Sequence, residues 1–243
     1  MRRANKGEEP GDWAEHLDEL RRRIISVLAV FFLCAALAFA FSGRIASFLM
    51  TPVADLGTKL YVFSPTEKFM AYLHMSAITG IAVTTPFFVL QAGLFVWPAL
   101  KGSERAYARF ALLAVPSLFL AGSAIAYKFF APVALEFFLS FGGGDGVEAL
   151  WGFGEYLALL SGLMLAVGVM LQLPLFMLAM FALGVTSPER AASARPYVVL
   201  LIFFLAGVMT PPDVTSQIML GVPLYLLFEA TLFAGSVISK NRR

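Results

Sequence analysis

The sequence predicts an all-α, polytopic membrane protein with six transmembrane helices, both termini in the cytosol, and helices 5 and 6 short. Three observations lead there. Apolar residues make up 59% of the 243 residues and charged residues only 14%, with Phe alone occurring 24 times; an average globular protein carries about 25% charge. The apolar residues gather in long uncharged runs of the length a bilayer demands. Lys and Arg concentrate between alternate runs, the bias that orients spans in a membrane.

A spanning helix needs about 20 apolar residues at roughly 1.5 Å rise each. The first run, residues 24–41, is uncharged and follows Arg21, Arg22 and Arg23. A signal peptide is the rival for this end. The run is long for an h-region and six acids precede it, so it is read as an uncleaved span. The second run, 69–100, holds no Asp, Glu, Lys or Arg. As one helix it would measure about 48 Å, so it must tilt, kink at Pro86 or project beyond the bilayer. The third is 110–127, with Pro116 inside, and the fourth 157–184, with Gln172 and Pro174 inside. Pro211-Pro212-Asp213 splits the last stretch, because proline lacks the amide donor and clashes with the preceding turn. This leaves spans at 197–210 and 218–238, the fifth only about 21 Å long.

With the N-terminus inside, 14 of the 18 Lys and Arg fall in inner segments. Merging the last two spans, or dividing the fourth, spoils that bias. Residues 1–243 thus form a single integral membrane domain. Residues 1–23 are a cytosolic segment with a short amphipathic helix, 24–238 the six-helix body and 239–243 a cytosolic tail. Residues 42–68, with Pro52 and Pro65, are expected to form short interfacial helices on the outer side. Residues 128–156, with Gly142-Gly143-Gly144, form the second outer segment. Ser187 before Pro188 reads as a helix N-cap.

Little here fits catalysis. Gly142-Gly143-Gly144-Asp145 resembles the GxGD signature of intramembrane aspartyl proteases, but that chemistry needs two carboxylates sharing a site, no second Asp lies at membrane depth, and this one sits in a Gly-rich outer loop. His16 and His74 match no metal spacing; His16 is expected on a solvated helix face and His74 near polar groups at the outer interface. The single cysteine, Cys34, lies in an apolar run and forbids an intrachain disulfide. No phosphate or dinucleotide loop and no nucleophile elbow is present, so no enzyme, cofactor, metal or nucleic-acid partner is expected. No internal repeat supports an inverted-repeat transporter. Polar groups at depth are costly and face protein or water. Gln172 and Glu229 are the two, open to a helix–helix hydrogen bond or a partner contact, and for Glu229 to pairing with a nearby basic side chain. On the cytosolic side a helix places Glu19 over Arg23. Glu19 and Glu104 are candidates to converge on a cationic partner segment, because a carboxylate takes a guanidinium bidentately.

Several local patterns coincide with one family. His16-Leu17-Asp18-Glu19-Leu20-Arg21-Arg22-Arg23 resembles the HLxELRxR opening of the TatC family, the multispanning receptor of twin-arginine protein translocation. Phe95-Val96-Trp97-Pro98-Ala99-Leu100 with Glu104-Arg105 is similar to its first cytosolic loop, and Thr186-Ser187-Pro188-Glu189 with Arg195-Pro196-Tyr197 to its second. Thr210-Pro211-Pro212-Asp213-Val214 with Ser216-Gln217 resembles its last outer turn, and Phe228-Glu229 follows as in the family. The likeness covers about residues 13–238.

The resemblance implies a Sec-independent translocase subunit of the bacterial plasma membrane. Such a subunit binds twin-arginine signal peptides of folded precursors on the cytosolic face. It works with single-span partners of the TatA and TatB type, oligomerises in the receptor complex and uses the proton-motive force. The signal-binding residues it implies are Glu19, Arg21, Phe95 and Glu104. Gln172 and Met209 are implied in contact with the partner's membrane helix, where the position of Gln172 is commonly a glutamate; the exchange keeps a hydrogen-bonding group and removes ionisation. Pro52, Asp213, Gln217 and Glu229 are the remaining structural or functional polar positions, Asp213 as a cap of the sixth helix or a shaper of the outer face. The main rival is a small-solute transporter or channel, which needs several polar groups at the midplane where this chain offers chiefly Gln172; the second is a scaffold that only organises partner helices, and signal-peptide binding separates it from a receptor.

Overall fold

A computed structural model describes residues 10–96, 104–142, 150–182, 184–209 and 214–240. The first element, α1 (Pro10–Ala40), is continuous for 31 residues. The separate amphipathic helix expected ahead of the first span is therefore the first turns of that span. No Gly or Pro stands between Asp12 and Ser42 to interrupt it. Two short helices follow, α2 (Ser42–Leu49) and α3 (Thr51–Asp55), as expected for this segment. Pro52 sits in the first turn of α3, where its missing amide is no loss.

α4 (Glu67–Val96) runs antiparallel to α1 and carries Pro86 inside. α5 (Glu104–Ile125) passes through a π-helical turn, Ala126–Phe130, into α6 (Ala131–Gly142). The third span thus runs past its expected end at residue 127, and Lys128 and Glu136 lie on helix rather than loop. The π turn adds one residue to the helical ring and re-aims a side chain. Here Tyr127 stacks on Phe48 of α2, ring centroids 4.7 Å apart, and donates to the Phe48 carbonyl at 2.8 Å.

The fourth run divides into α7 (Phe153–Met170) and α8 (Leu173–Ala182) at Leu171-Gln172. Pro174 causes the break: in the second position of α8 its absent N–H leaves nothing unsatisfied. α9 (Pro188–Ser193) starts as expected, Ser187 accepting from the Arg190 amide at 3.3 Å. α10 (Arg195–Met209) has only 15 residues, matching the expected short fifth span. α11 (Val214–Lys240) has 27, beginning before its expected start, with a shorter apolar run over Leu220–Ser236. Residues 143–149 and 210–213, including the Gly143-Gly144-Asp145 turn and Asp213, lie outside the described residues.

Among the described residues, four stretches are long and apolar enough to cross a membrane: Glu15–Ala40, Glu67–Phe95, Leu112–Ser140 and Phe153–Phe181. Large apolar side chains such as Phe32, Leu113 and Phe176 stay exposed on them, which fits a lipid-facing surface. α7 is the hub. Its residues Phe153, Tyr156, Leu157, Leu160, Leu163 and Val167 are buried at helical spacing against α4 and α5. Glycine sets the closest crossing. A Cβ on Gly122 of α5 would lie 2.8 Å from the Val167 carbonyl oxygen. Beside it the Ser123 hydroxyl donates to the Met164 carbonyl at 3.1 Å.

At the end where α4 and α7 begin, the predominantly helical chain has its one described strand pair. β1 (Leu60–Tyr61) runs parallel to β2 (Trp151–Gly152). Glu67 ties the same corner together, accepting the Phe63 amide and the Gly154 amide, each at 2.7 Å. Tyr156, almost wholly buried, donates to the Leu49 carbonyl at 2.6 Å and locks α2 to α7.

Candidate functional site

The start of α1 and the end of α4 enclose a two-part recess. One part is a polar cleft of about 590 Å³ lined by Glu15, Glu19, Arg22, Arg23, Ser26 and Gln91. The other is an apolar trough of about 250 Å³ lined by Leu20, Ile24, Val27, Leu28, Phe88, Ala92 and Phe95, with Arg23 and Gln91 at its edge. Helix geometry explains the division. Glu15, Glu19, Arg23 and Ser26 recur every three or four residues along α1 and share a face. Leu20, Ile24 and Val27 form the adjoining stripe.

Within the cleft Arg23 donates Nε to Glu19 Oε1 at 3.0 Å and Nη1 to Gln91 Oε1 at 3.0 Å. Its Nη2 also reaches Glu19 Oε1. Glu19 Oε2 lies 4.0 Å from His16 Nδ1. His16 stacks on Phe95, centroids 4.3 Å apart and planes 19° from parallel. His16 keeps a half-exposed side chain on the helix, as expected, and one face of its ring packs on Phe95.

The expected signal-binding residues divide. Glu19 and Phe95 come together at this recess. Arg21 is exposed and does not line it, because two residues along a helix from Glu19 is about 200° around the axis; Arg23 occupies the place. Glu104 opens α5, and the expected meeting of its carboxylate with Glu19 lies outside the described residues. Gln91 was missed. The signal was present, since it is a polar residue inside a 32-residue run without charge, the same criterion that singled out Gln172.

The expected partner-contact residues lie elsewhere. Gln172 sits at the α7–α8 break, its Nε2 donating to the Gly168 carbonyl at 3.0 Å. Its Oε1 is buried and finds no donor among the described residues. Met209 ends α10, and its side chain lies outside the described residues. Gln217 Nε2 donates to the Phe203 carbonyl at 2.6 Å, strapping α11 to α10. Gly207 permits this, as a Cβ there would lie 3.0 Å from that nitrogen. Glu229 forms a fork with Arg195, at 2.6 and 2.9 Å, and accepts the Tyr225 hydroxyl at 2.8 Å. Of the openings for Glu229, pairing with a basic side chain is the one adopted. His74 lines a separate cleft of about 480 Å³ with Glu67 and Glu155, in keeping with its expected polar surroundings. Among the described residues no cluster of metal-ligating side chains occurs.

Comparison with known proteins decides the family. Residues 15–223 match the family model described as Sec-independent protein translocase protein (TatC). The chain belongs to the TatC family. It is similar to the Sec-independent protein translocase protein TatC of Rickettsia prowazekii, 32% identical over 94% of each chain. It is also similar to TatCd of Bacillus subtilis, 34% identical over 93% of this chain and 92% of that one. The solved crystal structure of the twin arginine translocase receptor TatC in DDM superposes with a TM-score of 0.82 at 29% identity, covering 90% of this chain and 99% of that chain. As a TatC-family member this chain is a multi-pass membrane component of a protein translocase, not an enzyme.

Proposed function

We propose that this TatC-family chain is the receptor for twin-arginine signal peptides. It spans the bacterial plasma membrane six times with both ends in the cytosol. TatA- and TatB-type single-span proteins are its partners, copies of the chain associate in the receptor complex, and the proton-motive force drives export of the folded cargo. The observation that carries this is the two-part recess between α1 and α4. A twin-arginine signal offers two guanidinium groups followed by an apolar stretch. The recess offers carboxylates, Glu15 and Glu19, beside an apolar trough ending at Phe95. Guanidinium matches a carboxylate with two parallel hydrogen bonds, which an ammonium cannot form. Glu104, at the start of α5, supplies a further carboxylate, and Arg21 assists from the outer face of α1.

Gln172 and Met209 meet the partner's membrane helix. Gln172 is part-buried at the α7–α8 break with its Nε2 donating to the Gly168 carbonyl, and polar side chains at such depth hydrogen-bond across to a neighbouring helix. Pro52, Asp213, Gln217 and Glu229 hold the ends of the helices that frame these surfaces.

The test is peptide binding to the purified chain in lipid nanodiscs. A fluorescent Arg-Arg signal peptide is expected to bind at least about tenfold more tightly than its Lys-Lys variant, and Glu19→Gln to remove most of that difference. Equal binding of the two peptides would contradict the receptor function and favour the scaffold.

A further inference from the structure

The carboxylate best placed to receive a signal arginine is already engaged by an arginine of the chain itself. Arg23 lines both the acidic cleft and the apolar trough. Its Nε and Nη2 both reach Glu19 Oε1, and its Nη1 is held by Gln91 Oε1 at 3.0 Å. The Arg23 side chain is 22% exposed and that of Glu19 37%, so the guanidinium is the more sheltered partner and the carboxylate stays open to an incoming ligand. The lining charges also balance, Glu15 and Glu19 against Arg22 and Arg23. Two further guanidinium groups would enter a cleft with no net attraction for them unless a resident cation withdrew.

Resting on the twin-arginine function above, we propose that Arg23 is an internal stand-in for the ligand. In the empty receptor it satisfies Glu19. When a signal arginine arrives, Arg23 leaves Glu19 and Gln91 and the incoming guanidinium takes its place. Because Arg23 stands on the border between the two parts of the recess, the same movement joins the acidic cleft to the apolar trough. The signal's arginines and its apolar stretch then bind as one continuous segment. When cargo departs, Arg23 returns and no carboxylate is left unpaired in a part-buried site. A receptor closed in this way binds more weakly than its intrinsic affinity, by the fraction of molecules in which the site is open.

The test uses the full chain in nanodiscs with the labelled Arg-Arg peptide. Arg23→Gln is expected to tighten binding by about three- to tenfold, the share withheld by a competing pair of this strength. Arg22→Gln is the control. It removes the same charge from the same cleft, but its Nε donates to the Asp18 carbonyl at 3.4 Å and not to Glu19. Its effect is expected to stay under about twofold. Arg23→Lys keeps the charge without the fork and is expected to fall between wild type and Arg23→Gln. Glu19→Gln is expected to cost more affinity in the Arg23→Gln background than alone, because the carboxylate is then wholly available to ligand.

Arg23→Gln that weakens or leaves unchanged the Arg-Arg binding, while Glu19→Gln still abolishes it, would overturn the stand-in and leave the receptor intact. Equal tightening by Arg22→Gln would reduce the effect to net charge and overturn it also. A wild-type chain without preference for Arg-Arg over Lys-Lys would remove both.

Discussion

Tyr156 shows how much one polar atom decides in this molecule. Its hydroxyl is the buried link between α7 and the Leu49 carbonyl at the end of α2. Tyr156→Phe keeps the ring and strands that carbonyl, so unfolding stability in detergent should fall by about 1–2 kcal/mol, measured by thermal or denaturant melting. Gln172 is the opposite case, a buried oxygen waiting for a donor. Gln172→Leu is expected to reduce cross-linking to a TatA- or TatB-type helix several-fold while leaving signal-peptide binding within about twofold. Loss of both together would mean that the residue holds the fold and not the partner. The Glu229–Arg195 fork, by contrast, is a geometric tie across the α10–α11 hairpin, fixed by three hydrogen bonds. At this scale chemistry alone nominated Glu19, Gln172 and Glu229 as candidates, while Gln217 came only with the family likeness. Their partners were not legible, since Gln91 lies 68 positions from Arg23 and Arg195 lies 34 from Glu229.

The elements were legible to the extent that local rules govern them. Apolar runs marked the four long stretches, and Ser187-Pro188 the start of α9. Two features escaped. The π turn at Ala126–Phe130 carries no proline or glycine signal. It is set by the tertiary stack of Tyr127 on Phe48, which overrides local preference. The break at Leu171-Gln172 was hidden inside a run that reads as one span, and only Pro174 marks it. Close packing between elements is equally tertiary. Gly122 lies at the α5–α7 crossing, where a Cβ would collide with the Val167 carbonyl, part of the backbone. Gly122→Ala is expected to cost about 1–3 kcal/mol despite the better helix propensity of alanine, read as a lowered melting transition. A stabilised variant would show that α5 and α7 do not approach this closely.

At the scale of the whole molecule, the chain presents polar groups at a few chosen places on an apolar body. The recess at the start of α1 sets two carboxylates and two guanidinium groups beside an apolar trough, and the α7–α8 break leaves the buried Gln172 oxygen without a donor among the described residues. α10, with 15 residues, is shorter than the four long apolar stretches, and beside a short span a bilayer thins or a partner helix is recruited. Passage of folded cargo needs no pore inside a chain of 243 residues if partners assemble around it. Recognition of the signal is the central act in the function proposed for this subunit. It is tested most directly by photo-cross-linking in energised membranes containing the partners. A photoreactive residue in place of Ser26, which lines the acidic cleft, would be exposed to a folded precursor bearing an Arg-Arg signal and to its Lys-Lys variant. Cross-links to the Arg-Arg precursor alone, abolished by Glu19→Gln, are the predicted result. Cross-links to neither precursor, or to both alike, would contradict recognition at this recess.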